Sequence, residues 1–326
     1  VSTLKHIQPR RDFLIKVSSI SAVLTTGGIL SACGNSESPM VNYDYGVASG
    51  DPLSDRVILW THAKYQDSTD AVNLTWEVAS DLEFSKILVT GAAQANSDTG
   101  YTCKVDATGL QPNQTYYYRF KAGLHTSPIG KTKTLPVGAV SDVKLAILSC
   151  SNFPAGFFNV YAEVARSDAD VAIHLGDYIY EYAATGYASE KAASLGRTSV
   201  PANEILTLAD YRLRHAQYKS DADSKQFHAS KPLIAVWDDH EFANDAYKDG
   251  AENHTAATEG SFAVRKAAAL QAYHEWMPIR TGSDKSKIYR SFNFGNLLSL
   301  HMLDTRSIGR DQQVEITDLI NPAKQA

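Results

Sequence analysis

Apolar and polar residues alternate through the first third of the chain. "RVILWTHA" (Arg56 to Ala63), "VNLTWEVA" (Val72 to Ala79), "ILVTGAA" (Ile87 to Ala93), "YTCKVDA" (Tyr101 to Ala107) and "TYYYRFKA" (Thr115 to Ala122) all follow the period of two that a strand imposes. Turn residues separate them at short, regular intervals. The pattern predicts a β-sandwich over residues 43–136. Trp60 and Trp76 are expected between its two sheets. Cys103 is expected as a small buried hydrophobe within a strand. No chemistry is visible in this stretch, whose expected role is to support, orient or space the rest of the chain.

At Val143 the pattern changes. "VKLAILSCSN" (Val143 to Asn152), "ADVAIHLGDYIYEY" (Ala169 to Tyr182) and "KPLIAVWDDHEFAND" (Lys231 to Asp245) are buried-type strands running into polar residues. Helical patterns lie between and after them, near 157–167, 208–218, 222–228 and 259–277, and "NLLSLHMLDTRS" (Asn296 to Ser307) reads as a further strand. Strands alternating with helices indicate an α/β architecture over 143–326. Ligands of open α/β sheets bind beyond the carboxyl ends of strands. Three such ends carry Cys150 and Asn152, Asp177 and Tyr180, and Asp239 and His240.

Those residue types suit a metal centre. Asp238, Asp239 and Glu241 crowd around His240, and like charges stay together in a compact fold when a cation sits among them. Asp177, after a glycine, suits a carboxylate bridging two ions. The Tyr180 phenolate favours a hard, highly charged ion such as Fe(III), whereas the Cys150 thiolate is a soft companion. His240 is a candidate to donate a proton, bind metal or stabilise phosphate charge. Taken singly, each residue has a plainer explanation as core, packing or helix-terminal charge. The joint pattern carries the expectation.

Bulk properties narrow the field. A length of 326 residues suggests about two domains. A net charge of -5 lacks the basic footprint of a nucleic-acid-binding module. Three cysteines cannot build a disulfide framework. The first 33 residues read as an export signal. Arg10-Arg11 and "FLIK" resemble a twin-arginine motif, and "LSAC" (Leu30 to Cys33) resembles a lipobox. This implies a twin-arginine translocase as partner, lipidation of Cys33, a polar tether over 34–42, and a location in the periplasm or cell envelope. The chain is expected to be monomeric.

"YGVASGDPLSDRVILWT", "GDYIYEY", "YRLRHAQYKSDAD", "WDDHEFAND" and "LDTRS", in this order, resemble the PhoD-type alkaline phosphatases, a branch of the metallophosphoesterases. The strand at Tyr116, with Leu110 and Pro112, resembles the tyrosine-corner strand of fibronectin type III domains. These resemblances imply a fibronectin III-like sandwich followed by an α/β metallophosphoesterase domain of calcineurin-like type, a β-sandwich with flanking helices. They imply a phosphomonoesterase and phosphodiesterase acting on phosphate esters, with Fe(III) and calcium, or another divalent metal. Cys150 and Tyr180 would bind iron, Asp177 would bridge, and Asp239 would lie on the second-metal side. His240 would assist the leaving group, and Asn152, Asn244 and Arg306 would contact substrate. The family closes its site with a C-terminal Asp/His segment that "QVEITDLINPAKQA" does not supply, so this region is expected to be incomplete at its C-terminus. Two other readings remain: a purple-acid-phosphatase-like diesterase with a different metal pair, and a surface lipoprotein whose metal motifs are vestigial.

Overall fold

The structure is a computed structural model that describes residues 39–314. The twin-arginine motif, Cys33 and the residues from Glu315 onward lie outside the described residues. Strands run in the order β1 (Val41–Asn42), β2 (Val47–Gly50), β3 (Arg56–His62), β4 (Lys64–Tyr65), β5 (Val72–Ala79), β6 (Ile87–Ala95), β7 (Thr102–Thr108), β8 (Thr115–Ala122), β9 (His125–Thr126) and β10 (Gly130–Lys133). Then come β11 (Leu145–Leu148), α1 (Asn159–Arg166), β12 (Val171–His174), α2 (Leu208–Ser220), α3 (Ala222–Ser230) and β13 (Pro232–Ala235). The described part ends with α4 (Ala256–Glu259), α5 (Phe262–Trp276) and the hairpin β14 (Arg290–Phe294) and β15 (Leu298–Met302).

Two sheets enclose the first core. One has the order β10-β8-β5-β6, with β9 on β8. The other contributes β2, β3 and β7. Val57, Leu59, Leu74, Trp76, Cys103, Tyr118 and Phe120 pack together between them. The β8 alternation works as read: Tyr116, Tyr118, Phe120 and Ala122 are buried, and the residues between them are not. The Tyr116 hydroxyl turns back onto its own chain, accepting from the Gln111 N–H at 2.8 Å and facing the Gln111 carbonyl at 3.3 Å. That contact is a tyrosine corner.

Two expectations change. The second sheet does not stop at the predicted boundary. Its order is β11-β12-β13-β2-β3-β7, with β13 parallel to β2, so one hydrogen-bonded sheet joins the sandwich to the α/β region. Trp60 also faces away from the sandwich core. It packs with Ala48, Ala216 of α2 and Trp276 of α5, and donates to the Glu275 carbonyl at 2.8 Å. The physical reason is that β3 is covered on both faces, by β-sandwich on one side and by helices on the other. Trp76 does lie between the sheets, as expected.

The helices begin where local chemistry allows. Thr207 and Asp210 form a reciprocal capping box at the start of α2. Asp221 caps α3 by accepting from Asp223 and Ser224 N–H groups. Among the described residues, no helix is long and apolar enough to cross a membrane. The α/β strands are shorter than the apolar runs suggested. β11, β12 and β13 each stop after four residues, and the polar residues beyond fall in loops.

Candidate metal centre at three strand ends

β11, β12 and β13 are parallel and end level. Leu148 stands beside His174, and His174 beside Ala235. Beyond these ends the chain turns sharply. Cys150 has φ 57° and Asp177 φ 55°, a left-handed conformation that non-glycine residues rarely adopt. Gly176 sits at φ 106°, and a Cβ there would lie 2.4 Å from the Asp238 nitrogen. Only glycine lets these two loops pass so closely.

Backbone hydrogen bonds hold the loops together. Cys150 N–H donates to the Gly176 carbonyl at 3.1 Å, and Ser151 N–H to that of Asp177 at 2.8 Å. Glu241 is buried and accepts from the N–H groups of Asp177 (3.0 Å), Tyr178 (2.6 Å) and Asp238 (2.7 Å). The Glu241 carboxylate therefore clamps two of the three loops. Burial and the nearby Asp177 charge push its pKa up to about 8, against these three donors. From the helix side, Arg214 of the "YRLRHAQYKSDAD" segment donates to the carbonyls of Tyr180 and, at 3.0 Å, Tyr182.

On this frame the expected residues meet. The Cys150 thiol and the Tyr180 hydroxyl both lie 3.4 Å from Asp177 Oδ2. Asp177, Asp239 and His240 each offer an atom within 4.8 Å of the others. The His240 ring stacks on Tyr180 with centroids 4.3 Å apart. Asn152 belongs to the Cys150 loop. A cavity of about 310 Å³ beside it is lined by Cys150, Asn152, Gly156 and Phe157. Arg306 pairs with Asp238 at 2.5 Å and Asp239 at 3.2 Å, bringing the "LDTRS" segment to the acidic cluster. Asn244 is different: its amide turns to Glu252 at 3.0 Å.

One residue of the site is absent from the sequence expectations. Glu181 is fully buried and meets His240 Nδ1 at 2.8 Å through one oxygen. Its other oxygen accepts from Asn244 N–H and the Asn253 amide. Its place in "GDYIYEY", four residues after Asp177, is the available signal. The contact with His240 spans 59 positions, so no local pattern reveals it.

The electrostatics fit a cation. Burial raises the Asp177 pKa, with Asp239 and Asp238 adding to the effect and His240 opposing it. Burial also raises Cys150 and Tyr180, each of which feels Asp177. Burial opposes charge on His240, but the Glu181 hydrogen bond and the surrounding carboxylates outweigh it and lift His240 to about 9. Asp177 Oδ1 and both polar atoms of the Asn152 amide are buried without protein partners. A donor set of carboxylate, phenol and thiol, crowded and partly unpaired, suits one or more metal ions.

Comparison with known proteins places the chain in one family. The family model for the PhoD-like phosphatase matches residues 145–326, and that for the PhoD-like phosphatase N-terminal domain matches 29–136. Alkaline phosphatase D of Bacillus subtilis (strain 168) is 41% identical over 321 residues, covering 93% of this chain and 54% of the relative. A solved structure of PhoD superposes with a TM-score of 0.76 at 42% identity, covering 86% of this chain and 55% of that one. The chain thus spans about half the length of the curated relative it matches. With both parts of the family represented, and in the same order, the chain belongs to the PhoD-like phosphatase family.

Proposed function

We propose that the protein is an exported, metal-dependent phosphoric ester hydrolase acting on phosphomonoesters and phosphodiesters. The observation that carries this is the meeting of Cys150, Tyr180, Asp177, Asp239 and His240 beyond three adjacent strand ends. Cys150, Tyr180 and Asp177 would hold Fe(III), and Asp177 with Asp239 would hold a second, calcium-type ion. When bound, such ions offset phosphate charge and make water acidic enough to attack near neutral pH.

The chain's own residues do the rest. His240 hands a proton to the leaving oxygen, and Glu181 holds the ring by its Nδ1–H so that the other nitrogen is free for that task. Arg306 and Asn152 bind phosphate oxygens. Glu241 keeps the ligand loops in register. Residues 1–33 direct twin-arginine export and lipidation at Cys33, which puts the protein in the periplasm or cell envelope. Residues 43–136 form a fibronectin III-like unit, and 143–326 the calcineurin-like phosphatase unit.

The test is Asp177→Ala. It should lower bound metal and cut hydrolysis of a chromogenic phosphodiester by more than about a hundredfold, since even residues outside the ligand set of metal sites change activity by 10–100-fold. Unchanged metal content and turnover would sink the proposal. Metal analysis and visible absorption separate it from the purple-acid-phosphatase-like reading. A parent protein that binds metal but turns over nothing, with or without calcium, would be a surface binding module instead.

A further inference from the structure

Behind the metal loops lies a buried chain of hydrogen bonds that the proposed chemistry does not use. Gly176 N–H donates to His174 Nδ1 at 3.3 Å. With Nδ1 accepting, the ring proton sits on Nε2, which faces the Tyr161 hydroxyl at 3.0 Å. Tyr161 donates to the Ser151 hydroxyl at 2.8 Å. Ser151 donates in turn to the Tyr178 carbonyl at 3.0 Å. The donors run in a single direction, and the last of them, the Ser151 hydroxyl, also has the Asp177 carbonyl within 3.3 Å. The chain leaves the 176–178 loop at Gly176 and returns to it at Tyr178, crossing the Cys150 loop at Ser151.

The parts are rigidly housed. His174 ends β12, and Tyr161 comes from α1, where its ring stacks on Phe227 of α3 at 4.8 Å. His174, Tyr161 and Ser151 are all buried. Full burial, with the Lys219 charge adding to it, keeps the imidazole neutral, its pKa down to about 3. A neutral ring is what the donor order requires. Buried networks with every member satisfied rigidify what they touch.

We propose that His174, Tyr161 and Ser151 form a positioning relay that locks the Cys150 and Asp177 loops together in their left-handed turns. These three are positioning residues, since none of them touches the reacting atoms. The relay accounts for two residues with positive φ being held side by side through protein contacts. Its effect on metal binding rests on the reading of Cys150 and Asp177 as ligands, but its effect on the backbone does not.

The experiment therefore has two arms. In the metal-free protein, Tyr161→Phe and Ser151→Ala should each speed amide hydrogen exchange at Cys150 and Ser151 at least tenfold, while Ser151→Thr, which keeps the hydroxyl, should restore slow exchange. Phe227→Leu, a packing change beside Tyr161 that spares the relay, should leave those two amides slow. With Co2+ as the probe, Tyr161→Phe should weaken binding by about tenfold or more and diminish the thiolate-to-Co2+ absorption, in the range seen when outer partners of metal ligands are lost. Exchange that stays slow in both Tyr161→Phe and Ser151→Ala, or that Phe227→Leu accelerates equally, overturns the relay. Accelerated exchange in a protein whose wild type shows no thiolate absorption with Co2+ supports the relay and overturns the ligand reading instead.

Discussion

The sandwich and the strand-end loops treat the same residue types in opposite ways. Cys103 lies inside β7, buried among Val57, Leu59 and Tyr118, and burial pushes its thiol up to about 12. Cys150 lies two residues past the end of β11, exposed, with Asp177 at 3.4 Å. In the sandwich, buried side chains are mostly apolar and the backbone is satisfied by the ladder. At the strand ends, Asp177, Glu181, Asp239, His240 and Glu241 are all buried, and several of them satisfy loop N–H groups that have no ladder. Regular strands can be stabilised by burial alone. Irregular loops inside a fold need carboxylates and imidazoles as internal partners. The residues proposed for the chemistry are gathered in that same polar scaffolding.

The strongest challenge to this contrast is Glu241→Ala. Three N–H groups lose their acceptor in a buried setting, so unfolding free energy should fall by about 4 kcal/mol, with activity lost as well. Urea titration and phosphodiester hydrolysis read the two effects. A variant that kept either one would blur the distinction between scaffold and site. Trp76→Ala is the counterpart in the sandwich. It should cost about 3 kcal/mol by leaving a cavity, yet leave metal affinity and turnover intact below its melting point.

A third probe uses pH. Lys219 of α2 is fully buried, with its ammonium 3.1 Å from His228 Nε2, 3.5 Å from the Tyr178 hydroxyl and 4.9 Å from the Trp60 ring centroid. Burial drops its pKa from 10.5 to about 7. Between those two values the unfolded chain holds the extra proton, so this residue makes stability climb as pH rises from about 7 to 10.5. Lys104, His240 and Glu241 also titrate in this range and contribute to parent and variant alike, so the urea midpoint should change less favourably from pH 7 to pH 9 in Lys219→Met than in the parent. An equal slope in the variant would assign the effect to other groups. The smallest effect belongs to Tyr116→Phe, which removes the corner hydroxyl and should cost about 1 kcal/mol with no change in catalysis.

These regions also differ in how far the sequence discloses them. The five sandwich strands predicted from alternation occur within two residues of their expected ends, and in β8 and the first half of β5 one face meets core while the other does not. β2 gives no such signal, because all four of its residues are buried and no alternation is left to see. Trp60 falls on the face opposite to the expected one for a related reason: "VILWTH" is buried throughout, and the pattern cannot say which cover a residue meets. At the site, Cys150, Asp177, Tyr180, Asp239 and His240 stand out because apolar runs end in polar residues. Glu181 and His174 do not, and Glu241 shows only as one more carboxylate in a crowd. Their partners are backbone amides, or side chains distant in sequence, and no spacing rule describes a contact that exists only after folding.

The sheet that joins the two regions has a consequence for the order of assembly. Asp51, just after β2, receives a hydrogen bond from the Arg280 N–H, 229 positions away, and its own N–H bonds to Leu233 in β13. During synthesis, β2 can pair with β3 early, but its second neighbour emerges only after the helices α1 to α3 have been made. Contacts of such long range slow the search for the native state. The β2–β3 pair must therefore wait with one edge of β2 unpaired until β13 has been made.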